Sequence, residues 1–344
     1  MSRNTYCKPK LLIEGREVQS LETASFNDSG NNKLSALKAR FTEPDLVNIS
    51  LFNKKVEFYL NYGSEDSYPM FRGYIKHYTS TDTSFSITAL DVRTLITGNE
   101  SFPVVVDEAN NYDGQTIIQF LIDVIDNQLN LDEGLSTNAT NDIDKPIYMT
   151  GDRGKDSIYS ILTRALKDQL DDDDLLQPLY YYLDVVHEET NSSIVIKKAV
   201  DTDSRIDCNF SYFDGIVSLV HTERPPPSFG IAESSDGSQV RFDYGNSPAG
   251  KYGVVLDNVF QSRGEGKEAL IPFVLSKQDS ELHIEMRVSK GHYLSLGNIV
   301  KLDVPDMKLS GSYRVTSKNV KFAKGTVSCT LKLNKKELNL SDFI

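Results

Sequence analysis

The chain has no tryptophan and only three cysteines among its 344 residues. Cys7, Cys208 and Cys329 are far apart, odd in number and form no C-x-x-C. That argues against a disulfide framework or a zinc knuckle and makes a reducing cytoplasm the default folding compartment. No apolar run approaches the roughly 18 residues needed to cross a bilayer, so stable membrane insertion is not expected. Met1 to Lys8 contain no apolar h-region, and a secretory leader is not expected either. A chain this long buries about three quarters of its unfolded surface, so its core needs no staple. Against these absences stand 17 Tyr and 16 Phe, a composition that favours strands.

Positive charge is scarce in one place only. The net charge is −12, from 37 basic and 49 acidic residues. Between Glu100 and Thr190 there are 20 acidic and 5 basic residues, a net of −15, while the remainder carries a net of +3. This segment repels nucleic acid. It reads either as a solvated face or as a surface that docks on a basic partner.

Residues 1–99 read as short strands. Lys10 to Ile13 is followed by a turn at Glu14-Gly15-Arg16-Glu17. Alternation continues at Lys38 to Thr42, Val56 to Leu60, Phe71 to Ile75 and Phe85 to Leu90. Strands of this size at close spacing predict a small antiparallel barrel or sandwich. Helical spacing takes over after about Phe102. Asp113 is placed to cap a helix whose stripe is Ile118, Leu121, Ile122, Ile125 and Leu129, and a second helix spans 157–170. A β-hairpin is expected across Glu188 to Asn191. Residues 221–253, with Pro225-Pro226-Pro227 and then small polar residues, read as a long connection with no core of its own. Strands return at 254–260, 269–275, 282–288, 299–304, 313–317 and 326–333. In the last, Val327, Cys329, Leu331 and Leu333 share a face, which makes Cys329 a core thiol.

The chemical motifs are thin. His77, His187, His221, His283 and His292 show no zinc-binding spacing. Gly264-Glu265-Gly266-Lys267-Glu268-Ala269 matches a dinucleotide fingerprint by letter, but a strand, not a helix, is expected to follow. Gly151 to Ser157 resembles a P-loop, yet lacks its glycine spacing and puts Asp156 where phosphate would sit. Asp171 to Asp174 fails as an EF-hand, with Leu176 at the glycine position. No catalytic residue, cofactor site or metal site is assigned, and no enzyme activity is expected.

One resemblance goes further. Leu51-Phe52-Asn53-Lys54-Lys55-Val56 through Gly63, Phe71-Arg72-Gly73-Tyr74-Ile75 and Ser86 to Asp91 resemble the first barrel of phage baseplate hub proteins. That group includes the late control protein D type and the N-terminal part of type VI secretion spike proteins. Gly297 to Leu302, Gly311 to Thr316 and the closing strand from Gly325 to Leu333 resemble the last barrel of the same group. The expected organisation is mainly β with an α+β insertion. It has a first β-barrel over 1–99, an acidic α/β domain over 100–220, a connection over 221–253 and a second antiparallel β-barrel over 254–344.

The resemblance implies a homotrimer in which two similar barrels per subunit make a pseudo-sixfold ring. Such a hub joins the tail tube protein to a central spike protein, contacts other baseplate proteins, and lets DNA pass through its lumen without specific binding. It belongs to the virion and is assembled in the host cytoplasm. The two barrels are expected to superpose, with Gly73-Tyr74-Ile75 matched to Gly311-Ser312-Tyr313. Asp171, Asp172, Asp173 and Asp174 are the candidate partner-docking residues, expected on the exterior. The rival readings are a distal tail or tube-initiator protein and a β-rich carbohydrate-binding or carbohydrate-active protein. The lack of Trp weighs against the last.

Overall fold

A computed structural model describes residues 7–29, 34–46, 49–61, 68–94, 115–123, 135–137, 181–189, 191–198, 206–223, 228–234, 237–243, 253–260 and 282–334, with positions 264, 266, 267, 270, 271 and 274 besides. The second expected helix and Asp171 to Asp174 lie outside the described residues, as does Asp113.

The first strands follow the alternation in the sequence. They are β1 (Lys10–Ile13), β2 (Arg16–Glu17), β3 (Ser20–Ser29), β4 (Ala36–Thr42), β5 (Lys55–Tyr59), β6 (Phe71–Ser80) and β7 (Ser84–Asp91). Leu37, Ala39 and Phe41 of β4 point inward, as do Phe85, Ile87 and Ala89 of β7. Phe41 and Phe85 are register partners with rings stacked 5.5 Å apart, a pair worth roughly 1 kcal/mol beyond its buried area. The β1–β2 turn has Glu14 and Gly15 both at positive φ, 48° and 76°, the geometry of a two-residue hairpin loop.

The middle contributes α1 (Ile117–Asp123) and a three-stranded sheet of β8 (Leu135–Thr137), β10 (Ser192–Lys198) and β9 (Tyr181–His187). In α1 the buried side chains include Ile117 and Phe120, while Ile122 is exposed. Ile117 and Phe120, outside the predicted stripe, are thus buried, and Ile122 of that stripe is not. Thr116 caps this helix, its Oγ1 accepting from Gln119 N at 3.3 Å. The hairpin predicted at 188–191 joins β9 to β10.

The second half holds β11 (Cys208–Ser211), β12 (Ile216–Glu223), β13 (Phe229–Ser234), β14 (Gln239–Asp243), β15 (Gly253–Phe260), β16 (Leu282–Val288), β17 (Ile299–Val304), β18 (Leu309–Ala323) and β19 (Thr326–Asn334). Two expectations need correction here. The 221–253 stretch is not a bare connection: β13 pairs with β14 and with β15, and Ala232 is buried against Leu270 and Val274. Gly230 lets those two side chains approach, since a Cβ there would sit 2.3 Å from Val274. The 269–275 strand is not one either: Leu270, Ile271 and Val274 are helical, and the four-residue spacing of Leu270 and Val274 aims both at Ala232.

The barrel strands form one 13-stranded sheet instead of two separate bodies. β11, inside the range expected for the acidic domain, and β12, which straddles its boundary with the expected connection, belong to the second barrel unit, where β11 pairs in parallel with β17 and β12 pairs with β16. β18 joins the halves. Its first part, Leu309 to Arg314, pairs with β17, and its last, Ser317 to Ala323, pairs with β19 on one side and β3 on the other. One hydrophobic core runs from Cys7 to Leu333 through both units.

The two units repeat each other. In chain order, the first unit is β1, β3, β4, β5, β6, β7 and the second is β11, β12, β16, β17, β18, β19. Across the sheet both run first, fourth, fifth, sixth, third, second: β1-β5-β6-β7-β4-β3 and β11-β17-β18-β19-β16-β12. The registers coincide as well. Ile75 exchanges backbone hydrogen bonds with Asn53 and Lys54, and Val315 does so with Gly297 and Asn298. Asn53 and Gly297 are both left-handed, at φ 59° and 80°. A bulge follows directly in each, between Ile75 and His77 and between Val315 and Ser317. A second bulge separates Leu21 from Thr23 and, at the equivalent place, Ile216 from Ser218. Bulges re-aim strands at fixed positions, so shared bulges mark a shared curvature. The units differ at their first strand, where β1 is antiparallel to β5 and β11 is parallel to β17. In this register Gly73 corresponds to Tyr313, not to Gly311. The predicted correspondence of the two strands holds, two residues out of step.

Candidate functional site

The described chemistry gathers where the two units and the middle sheet meet. β3 and β18 run antiparallel from the pair Ser29–Ser317 to Thr23–Ala323. Beside this seam, Arg93 donates to Asp91 at 2.7 Å, to Asp28 at 3.4 Å and to the Ser35 hydroxyl. Ser35 in turn donates to Asp28. Burial opposes the Arg93 charge, but Asp91 and Asp28 outweigh it and hold the guanidinium protonated above its ordinary range. Burial raises the Asp28 pKa, against the pull of Arg93 and Lys318. Lys318 is buried over the Phe26 ring and donates to Leu294 O at 2.6 Å; burial lowers its pKa. These groups, with Asp184, His187, His292 and Tyr293, line a cavity of about 520 Å³.

A second tie holds the middle sheet to the first unit. Arg72 on β6 is 3% exposed. Its Nε donates to Glu57 at 2.6 Å, and its Nη2 donates to the carbonyls of Glu188 at 3.1 Å and Glu189 at 2.9 Å. Nη1 donates to Asn191 O and to the Ser192 hydroxyl. Only a planar guanidinium can serve a carboxylate and a hairpin turn together in this way.

These groups hold the molecule together, and their ionic partners are already engaged. Among the described residues no group of three or more His, Cys, Asp or Glu could hold a metal ion. His77 lies on β6, His221 on β12 and His283 on β16, while His187 and His292 meet at the cavity. Cys329 is a core thiol as expected, its pKa pushed up to about 11 by burial. The Gly264 to Ala269 match lies just after β15 and is followed by helical positions, not the expected strand; Gly264 and Gly266 are themselves helical instead of forming the turn ahead of a helix that a dinucleotide fingerprint needs. The Asp171 to Asp174 docking expectation falls outside the described residues.

What the surface offers is an edge. β12 ends the sheet, and Val217 and Val220 on it are 58% and 64% exposed. Phe213, in the turn before it, is fully exposed beside Tyr212. Sequence reading missed this edge because it assigned these residues to another domain.

The architecture has known counterparts. A tail protein from Neisseria meningitidis MC58 superposes with a TM-score of 0.67 at 9% identity, over 98% of this chain and 99% of that one. The fold is that of phage tail proteins. The 43 kDa tail protein of prophage MuSo2 from Shewanella oneidensis matches with a TM-score of 0.67 at 12% identity, over 99% of this chain and 98% of that one. The E. coli c3393 protein, a type VI secretion component described as similar to the T4 tail proteins gp27 and gp5, matches at 0.54 and 12% identity, over 95% and 78% of the two chains. No family model matches the chain, and no curated protein matches it in sequence. These likenesses span 95–99% of the chain, although the sequence resemblance rested on its two ends.

Proposed function

We propose that this chain is a structural, non-enzymatic hub of a phage tail baseplate or a related injection machine. Three copies would form a ring that joins the sixfold tail tube to a threefold central spike. The observation that carries this reading is the repeat: two six-stranded units with one strand order and shared bulges. A subunit holding two equivalent units offers a sixfold partner six equivalent surfaces from three chains, which resolves the mismatch of symmetries. The tail-protein fold of its structural neighbours supports the same setting. The ring's lumen would pass DNA without specific binding.

Light scattering tests the reading. A trimer has three times the 38.6 kDa mass of one chain. A stable hexamer would move the assignment to a tube-initiator protein, and a monomer at tens of micromolar would remove the hub reading.

A further inference from the structure

The seam between the units inside one chain is a template for a contact between chains. β3 and β18 meet because β3, second strand of its unit, has a free outer side, and β18, fifth strand of the other, outruns its neighbour β17. The repeat places β12 where β3 stands and β6 where β18 stands. Both remain open among the described residues: no strand pairs with the outer side of β12, and β5 stops at the Lys55–Tyr74 pair, leaving His77 to Ser80 with β7 alone.

We infer that β6 of one copy adds to the free edge of β12 of the next, in the register that β18 already makes on β3. The bulges fix that register. Counting from them, Val320 corresponds to Ser80 and Asn319 to Thr79, while Phe26 corresponds to His221 and Asn27 to Thr222. The intrachain pairs Val320–Phe26, Asn319–Asn27 and Lys318–Asp28 then become Ser80–His221, Thr79–Thr222 and Tyr78–Glu223 between copies. This deepens the hub reading and rests on it.

A second observation is independent of the repeat. Exposed edge strands are normally blunted by charge or proline. Apart from Glu223 at its end, β12 reads Ile-Val-Ser-Leu-Val-His-Thr, with no Lys, Arg, Asp or Pro and two exposed valines. An undefended apolar edge is suited to strand addition. Each copy brings one β6 and one β12 edge, a head-to-tail contact that closes into a ring.

The test is a cysteine pair. Thr79→Cys with Thr222→Cys, both exposed positions, should oxidise into covalent dimers and closed trimers at least tenfold faster than Thr79→Cys with Ser218→Cys, which is four residues out of register. A trimer by light scattering whose in-register pair links no faster than the control overturns this contact and leaves the hub reading standing. A monomer overturns both. Val220→Lys gives a check without oxidation: the side chain is exposed, so the monomer should fold, and assembly should weaken at least tenfold. Unchanged assembly of that variant also overturns the proposal.

Discussion

Replacing Arg72 should release the middle sheet from the first unit. The side chain makes five hydrogen bonds, to Glu57, Ser192 and three hairpin carbonyls. Arg72→Met keeps much of the packing volume but strips all five. Removing one partner of a buried ion pair costs about 3–5 kcal/mol, most of it from the charge left behind. The cost here should fall at the low end. Glu57 keeps Lys55 at 3.4 Å, and water can reach the exposed turn at Glu188 and Glu189. A loss of about 3 kcal/mol, or roughly a hundredfold in the opening equilibrium, is expected for the docking of the β9–β10 hairpin. Hydrogen exchange at the amides of β9 and β10 reads it directly, with the urea midpoint as a global measure. Arg72→Lys should recover less than half, because a single ammonium cannot span Glu57 and the turn together. Exchange within threefold of wild type in Arg72→Met would refute the clamp.

The His187 ring bonds Ser192 Oγ at 2.9 Å, and burial, reinforced by Arg72, holds its pKa down at about 4, below the ordinary 6.5. Protons therefore favour the unfolded chain, so stability should fall as pH drops from 6.5 towards 4, by about 1–2 kcal/mol allowing for the ring's partial exposure. His187→Gln should flatten that part of the urea-midpoint profile; an unchanged profile would exclude the ring as its source. Gly73 is packed against β7 so closely that a Cβ would stand 2.1 Å from Leu90 O. Gly73→Ala should cost at least about 3 kcal/mol or block soluble expression, while a loss under about 1 kcal/mol would show that the strands can spread.

Much of the first unit could be read directly. β4, β5 and β7 each show period-two burial, because one face meets the core and the other is more open to solvent. β17 and β19 were legible for the same reason. β11 and β12 were not: their partners β17 and β16 are about 60 to 90 residues further on, and nothing local says which sheet a strand will join. The β13–β14 hairpin was hidden by Gly230, Ser234 and Gly237, which resemble linker residues although Ala232 is fully buried. The repeat was expected from the family resemblance, but its register was not legible in the residues, because it resides in bulges and pairing, which constrain backbone and leave side chains free. Tyr313 stands where Gly73 does, and Cys329 where Phe85 does. Nothing local marks Arg72 as a buried charge, since its burial depends on carbonyls about 116 residues away.

The β3–β18 seam also sets an order of events during synthesis. Asp28 and Ser317, bonded across it, are separated by 289 residues. At about 5–20 residues per second, the ribosome delivers the second roughly 15–60 s after the first. Throughout that interval β3 can pair with β4 while its other side waits, and any neighbouring nascent chain presents a competing strand. On a crowded polysome the first unit therefore needs either a chaperone or a spacing between ribosomes until the β18–β19 hairpin emerges, near the end of the chain, to cover it.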